Sequence, residues 1–144
     1  MENTKQKTFE LSVRSTTEEL SAIRDFIRQS ISPAGITDEA MDKIILAVDE
    51  ASTNVVKHAY HYAKDKEIKI QLELKSESCV VTITDFGDSF DPNEIPQPNM
   101  KQYLEEKRVG GLGLYLMRTL MDEVQYTSYD GKYNKLVLIK KISA

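Results

Sequence analysis

The chain has 144 residues, of which 40% are hydrophobic and 29% charged, a composition that excludes a disordered or fibrous polypeptide and suits a single domain, 1–144, with one core. A net charge of -4, with no basic cluster longer than a dipeptide, argues against nucleic acid as a direct ligand, since phosphate neutralisation needs concentrated Lys and Arg. The longest apolar runs, such as Leu136 to Ile139, fall far short of the roughly 20 residues of a membrane helix, and no signal-like apolar block opens the chain, so no membrane association and a cytoplasmic location are expected.

Residues 1–7 are polar and are expected to fray, after which Phe9, Leu11 and Val13 alternate with polar neighbours as a half-buried strand does, ending near Arg14. Ser15 with Glu18, or Thr16 with Glu19, offers a capping box for a first helix. Its apolar positions are Leu20, Ile23, Ile27 and Ile31, and Ser32-Pro33 stops it. Thr37 caps a second helix whose Met41, Ile44, Ile45, Val48, Val55 and Ala59 form one stripe. From Ile68 the period changes to two, with Ile70, Leu72 and Leu74 inward, and Ser76 to Ser78 turn this strand into another over Cys79 to Thr84. Cys79 is the only cysteine; it excludes an internal disulfide and its apolar surroundings predict a core thiol.

Between Asp85 and Val109 lie three of the four prolines and no sustained apolar pattern, which predicts a functional loop or lid over 91–109. Gly110 to Gly113 open a third helix through Leu120 or Met121. Val124 to Ser128 and Lys135 to Ile139 then read as strands joined at Asp130-Gly131. The order βααββ, lid, αββ predicts a two-layer α/β sandwich, a largely antiparallel mixed sheet covered on one face by helices.

Three constellations carry chemistry. In the second helix Glu50, Asn54 and His58 recur every four residues, which turns them the same way. An amide carbonyl is a hard neutral ligand suited to Mg²⁺, and a carboxylate beside it can accept a proton from an attacking hydroxyl; a plain solvated helix face has the same spacing. Asp49 is the rival base, but at about 100° per residue it points about 140° away from Asn54, which favours Glu50. Asp85-Phe86-Gly87 follows a strand end, where the carboxylate either organises a turn or accepts from an exocyclic amine such as that of adenine, with Gly87 letting the backbone approach a flat ring. Gly110-Gly111-Leu112-Gly113 precedes an apolar helix, where free backbone N–H groups can receive phosphate or where the glycines simply serve as a hinge. Neither a P-loop nor a dinucleotide fingerprint fits it. His58 and His61 lack a third His or Cys nearby, so an ordinary polar helix end is favoured over a zinc site.

A helix with Glu-x-x-x-Asn, a strand ending in Asp-x-Gly, a lid and a glycine turn opening a helix, in that order, resemble the gyrase, histidine-kinase and mismatch-repair superfamily of ATPases. More narrowly, Glu50-Ala51-Ser52-Thr53-Asn54 with His58-Ala59-Tyr60, then Gly111-Leu112-Gly113-Leu114 and Met121-Asp122-Glu123-Val124, resemble the bacterial anti-sigma factor serine/threonine kinases, from about Phe9 to Lys140. The resemblance implies an ATP-dependent protein serine/threonine kinase using ATP and Mg²⁺, with an antagonist protein as phosphoacceptor, a sigma factor as alternative partner, and a homodimeric state. It further implies that Glu50 is the general base, Asn54 the Mg²⁺ ligand, Asp85 the adenine-reading carboxylate and Gly87 the close-approach residue, with Gly111 and Gly113 serving the phosphates. The sequence departs from the wider superfamily at Ser89 and Val109, where glycines often stand, and at Asn134 to Leu136, where some relatives have a nucleotide-touching threonine. Arg108 is a further candidate for a phosphate. Two other readings stay open, a nucleotide-gated binding module without phosphotransfer and an isolated histidine-kinase catalytic domain, the latter disfavoured because no phosphoacceptor hairpin precedes the first strand.

Overall fold

The computed structural model describes residues 7–89, 113–129 and 131–142, with the backbone alone for 113–116. Strand β1 (Lys7–Arg14) leads through a 3-10 turn, Thr17–Glu19, into helix α1 (Leu20–Ile31). Ile23, Ile27 and Ile31, four residues apart, are all buried, so one stripe seats the helix. The expected capping box does not form: Thr16 makes no side-chain cap bond. Ser15 instead donates to Ala63 O at 2.5 Å and accepts from the Lys66 N–H at 3.2 Å, because a buried hydroxyl beside the start of a strand satisfies groups that a helix cap would leave unpaired. A 3-10 turn, Ser32–Ala34, and Gly35 at φ 74° end the segment.

Helix α2 (Asp38–Asn54) begins as expected, with Thr37 accepting the Ala40 N–H at 3.1 Å and Asp38 and Glu39 at the positive end of the helix dipole. It does not run unbroken to Ala59. Residues Val55–Ala59 form a π turn, closed by Tyr60 N–H to Val55 O at 3.0 Å and Tyr62 N–H to Val56 O at 2.9 Å. His61 at φ 49° and Tyr62 at φ 66° then reverse the chain, a left-handed pair that costs on the order of 1 kcal/mol or more each and that surrounding contacts must hold.

The sheet has the order β1-β2-β3-β5-β4, with β2 (Glu67–Leu74), β3 (Ser78–Asp85), β4 (Glu123–Tyr129) and β5 (Tyr133–Lys141). All four pairings are antiparallel among the described residues. Helix α3 (Gly113–Leu120) packs against α2 and the β4 side. Ile68, Ile70, Leu72, Cys79, Val81, Ile83, Leu136 and Leu138 are buried and in phase across the register, which makes them the sheet face under the helices. Burial of each such large side chain contributes about 1.5–3 kcal/mol. Cys79 lies in this core as expected, and burial pushes its thiol up to about 12. The sandwich inferred from periodicity is the observed architecture. None of the described helices is long and apolar enough to cross a membrane.

Candidate active site

The C-terminal end of α2, the end of β3 and the start of β5 converge at one edge of the sandwich. Asn54, the last residue of α2, is buried and lines, together with Asp85, a small and largely enclosed cavity among the apolar side chains of Ala51, Val55, Met117 and Leu136. Two residues 31 positions apart, each singled out from its own local motif, therefore line one cavity. Glu50 lies one turn earlier on α2, half-buried, outside this wall. Its rival Asp49 is committed elsewhere: Oδ1 accepts from Arg24 Nη1 at 2.8 Å, tying α2 to α1. The pair is part-exposed and of modest energetic value, but it fixes the direction of the Asp49 carboxylate toward α1.

Asp85 is 2% exposed. Its Oδ1 accepts from Asn134 Nδ2 at 2.8 Å and from the Gly87 N–H at 3.0 Å, and Asn134 Nδ2 also reaches Gly87 O at 3.1 Å. Desolvation pushes the Asp85 carboxyl above the usual carboxylate range, and the hydrogen bonds from Asn134 and Gly87 oppose the rise. Both of these bonds fall on Oδ1, so Oδ2 keeps acceptor capacity. Asn134 is 1% exposed and its Oδ1 is buried without a partner among the described residues. A buried carboxylate beside an orphaned amide oxygen is a surface that a donor such as an aromatic amine completes, and this fits an adenine ring.

For a metal the fit is of a different kind. Among the described residues no group of three or more His, Cys, Asp or Glu is placed to hold one. Mg²⁺ in a phosphoryl-transfer site takes most of its ligands from water and phosphate, so one buried amide oxygen, that of Asn54, is a sufficient protein donor.

Gly87 approaches the protein's own backbone. A Cβ there would lie 2.4 Å from Ala59 O and 2.8 Å from Tyr60 Cδ1, while the next residue, Asp88, donates its N–H to Ala59 O at 2.9 Å. The glycine is thus required by packing of the turn on the π segment, a contact that local sequence could not reveal. His58 is exposed, and its imidazole is lowered by desolvation first and then by Lys57 and His61. His61 Nε2 lies 3.0 Å from Asp88 Oδ2, an exposed link to the same turn. Gly113 is the first residue of α3. Gly111, Arg108, Val109 and the 91–109 lid lie outside the described residues.

Asn134 was legible only as a departure from a family pattern. The usable signal was its phase: it stands two and four residues before Leu136 and Leu138, a polar residue at an inward position. Tyr60 carried no role in the sequence reading, yet its hydroxyl accepts the Phe86 N–H at 2.7 Å and donates to Glu67 O.

The sequence profile of the histidine kinase-like ATPase domain matches residues 13–140. The chain is 36% identical over 127 residues to serine-protein kinase RsbW of Bacillus subtilis, covering 85% of this chain and 79% of that one. It is 37% identical over 128 residues to the protein of that name from Staphylococcus aureus, with 83% and 79% covered, and 40% identical over 98 residues to that of Listeria innocua, with 65% and 62% covered. Among solved structures, the fold is similar to a crystal structure of the RsbU and RsbW domains of a Mycobacterium tuberculosis protein, with a TM-score of 0.68 at 16% identity over 94% of this chain and 32% of the other. The chain belongs to the histidine kinase-like ATPase domain family and, within it, to the anti-sigma factor serine/threonine protein kinases.

Proposed function

We propose that this kinase binds ATP with Mg²⁺ where the end of α2 meets the β3–β5 edge, phosphorylates a serine or threonine of a small antagonist protein, and alternatively holds a sigma factor. Transcription would then be regulated by partner switching in the cytoplasm, with the kinase acting as a homodimer. The observation that carries this reading is that Asn54 and Asp85, from separate motifs, line the same small cavity, which supports one site for the adenine amine and Mg²⁺.

Each residue has a separable task. Asp85 accepts from the exocyclic amine of adenine and is held for this by Asn134 and the Gly87 N–H. Asn54 contributes its amide oxygen to Mg²⁺, and the bound ion supplies charge neutralisation at the transferring phosphoryl group. Glu50 takes the proton from the incoming hydroxyl, a step needed only as attack proceeds. Asp49 is withdrawn from that work by Arg24. Gly113, the first residue of α3, and Gly111 serve the phosphates through backbone N–H groups.

Incubating the protein with labelled ATP·Mg²⁺ and candidate antagonist proteins tests the reading directly. An acid-stable phosphate on serine or threonine of the antagonist is the expected result. Nucleotide-dependent capture without transfer would reduce the protein to a gated binding module, and an acid-labile phosphohistidine would make it a histidine-kinase catalytic domain.

A further inference from the structure

Tyr60 has no part in the chemistry above, yet it occupies the junction between the two halves of the site. It follows the π turn directly, six residues after Asn54, and is 6% exposed. Its hydroxyl spans two backbone groups from distant segments, accepting the Phe86 N–H just past the end of β3 at 2.7 Å and donating to the Glu67 carbonyl at the start of β2. The Phe86 side chain is itself 48% exposed, so the turn is held here through its backbone rather than by burial of its own ring. Ala59 provides the neighbouring tie by accepting the Asp88 N–H at 2.9 Å, with Gly87 wedged between the two ties at a distance no Cβ tolerates. Consecutive residues of the helix extension thus grip Phe86 and Asp88, on both sides of Gly87, while Asp85 immediately precedes the gripped segment. Burial, followed by the nearby Asp85 and Glu67 charges, pushes the Tyr60 hydroxyl up to about 12 against the opposing Phe86 N–H bond, so it stays a neutral donor to Glu67 at working pH.

We propose that Tyr60 is a positioning residue that holds the Asp85–Gly87 turn in register with the end of α2, and thereby sets selectivity for the adenine amine. This inference rests on the ATP reading of the site and goes beyond it by naming the group that aligns the base-reading carboxylate with the metal-binding amide. Removing the hydroxyl leaves the Phe86 N–H and the Glu67 carbonyl without this partner and frees the turn to drift relative to Asn54, a displacement that penalises a ligand contacting both.

Calorimetry with ATP and with purine riboside triphosphate, which lacks the exocyclic amine, on wild type and Tyr60→Phe tests this. The aromatic ring is retained, so the variant keeps its packing. Wild type is expected to prefer ATP, and Tyr60→Phe to lower that preference by about tenfold, the size of one well-placed hydrogen bond. Ile27→Val, a core truncation in α1 remote from the turn, lowers stability and should keep the wild-type preference, which separates alignment from general loosening. A Tyr60→Phe protein with the wild-type ratio overturns the positioning role. A wild type that binds both triphosphates equally overturns the adenine reading itself and the inference with it.

Discussion

Asn134 on β5 lies directly across the sheet from Asp85 on β3, and its amide nitrogen bonds both the Asp85 carboxylate, at 2.8 Å, and the Gly87 carbonyl, at 3.1 Å. One side chain thereby closes the turn and orients its carboxylate. In Asn134→Ala the carboxylate loses one of two donors and Gly87 O loses this partner. Unfolding free energy should fall by about 1–3 kcal/mol, and ATP affinity should fall with it. Denaturant melts and calorimetry on the same variant check both; unaltered values for each would remove Asn134 from the site.

Asp85→Asn should divide stability from binding. Burial raises the Asp85 carboxyl in the folded state, so its contribution to stability is fully present below the unfolded aspartate value of about 4 and is lost as pH rises through the raised folded value. At neutral pH the variant no longer keeps a buried charge, so without ligand it should melt no lower than wild type. The stability difference between the two should change in the variant's favour as pH rises from about 4. ATP should nevertheless bind about 5- to 150-fold more weakly, because an amide can set a donor against the adenine amine. The exposed change Glu77→Gln should do neither.

Gly87→Ala distinguishes the two reasons for a glycine at that position. The 2.4 Å approach to Ala59 O is to backbone, which cannot swing away, so the ligand-free protein should lose about 1–3 kcal/mol. Thermal melts without nucleotide measure this. If apo stability held while ATP binding weakened, approach of a ring rather than of Ala59 would be the reason.

At the end of α2, Asn54→Ala should weaken Mg²⁺-dependent nucleotide binding. Glu50→Gln should bind nucleotide normally and lose phosphoryl transfer, since the proton moves only in the transition state. Asp49→Asn should leave transfer intact and cost at most about 1 kcal/mol of stability, as expected for a part-exposed ion pair. Single-turnover assays with an antagonist protein read all three. Wild-type turnover by Glu50→Gln would mean that positioning alone suffices.

What the sequence determined by itself is what local periodicity encodes. Alternation at Ile68, Ile70, Leu72 and Leu74 assigned the inward face of β2, since side chains alternate across a strand, and the spacing of Ile23, Ile27 and Ile31 assigned the buried stripe of α1. Glu50 and Asn54 were legible as candidates because four residues make about one turn. The tertiary structure alone decided contacts between distant segments. Asp85 meets Asn134 across 49 residues through the β3–β5 register, which no local pattern specifies. Ser15 abandoned its cap because Ala63 and Lys66, brought close by folding, offered its buried hydroxyl partners. The α2 stripe was visible through Ala59, but the π turn after Asn54 was not, because one pattern of apolar residues buries equally well on either winding. That turn brings Ala59 and Tyr60 against Gly87 and Phe86, and so the glycine that local chemistry assigned to a ligand is required first by the protein's own backbone.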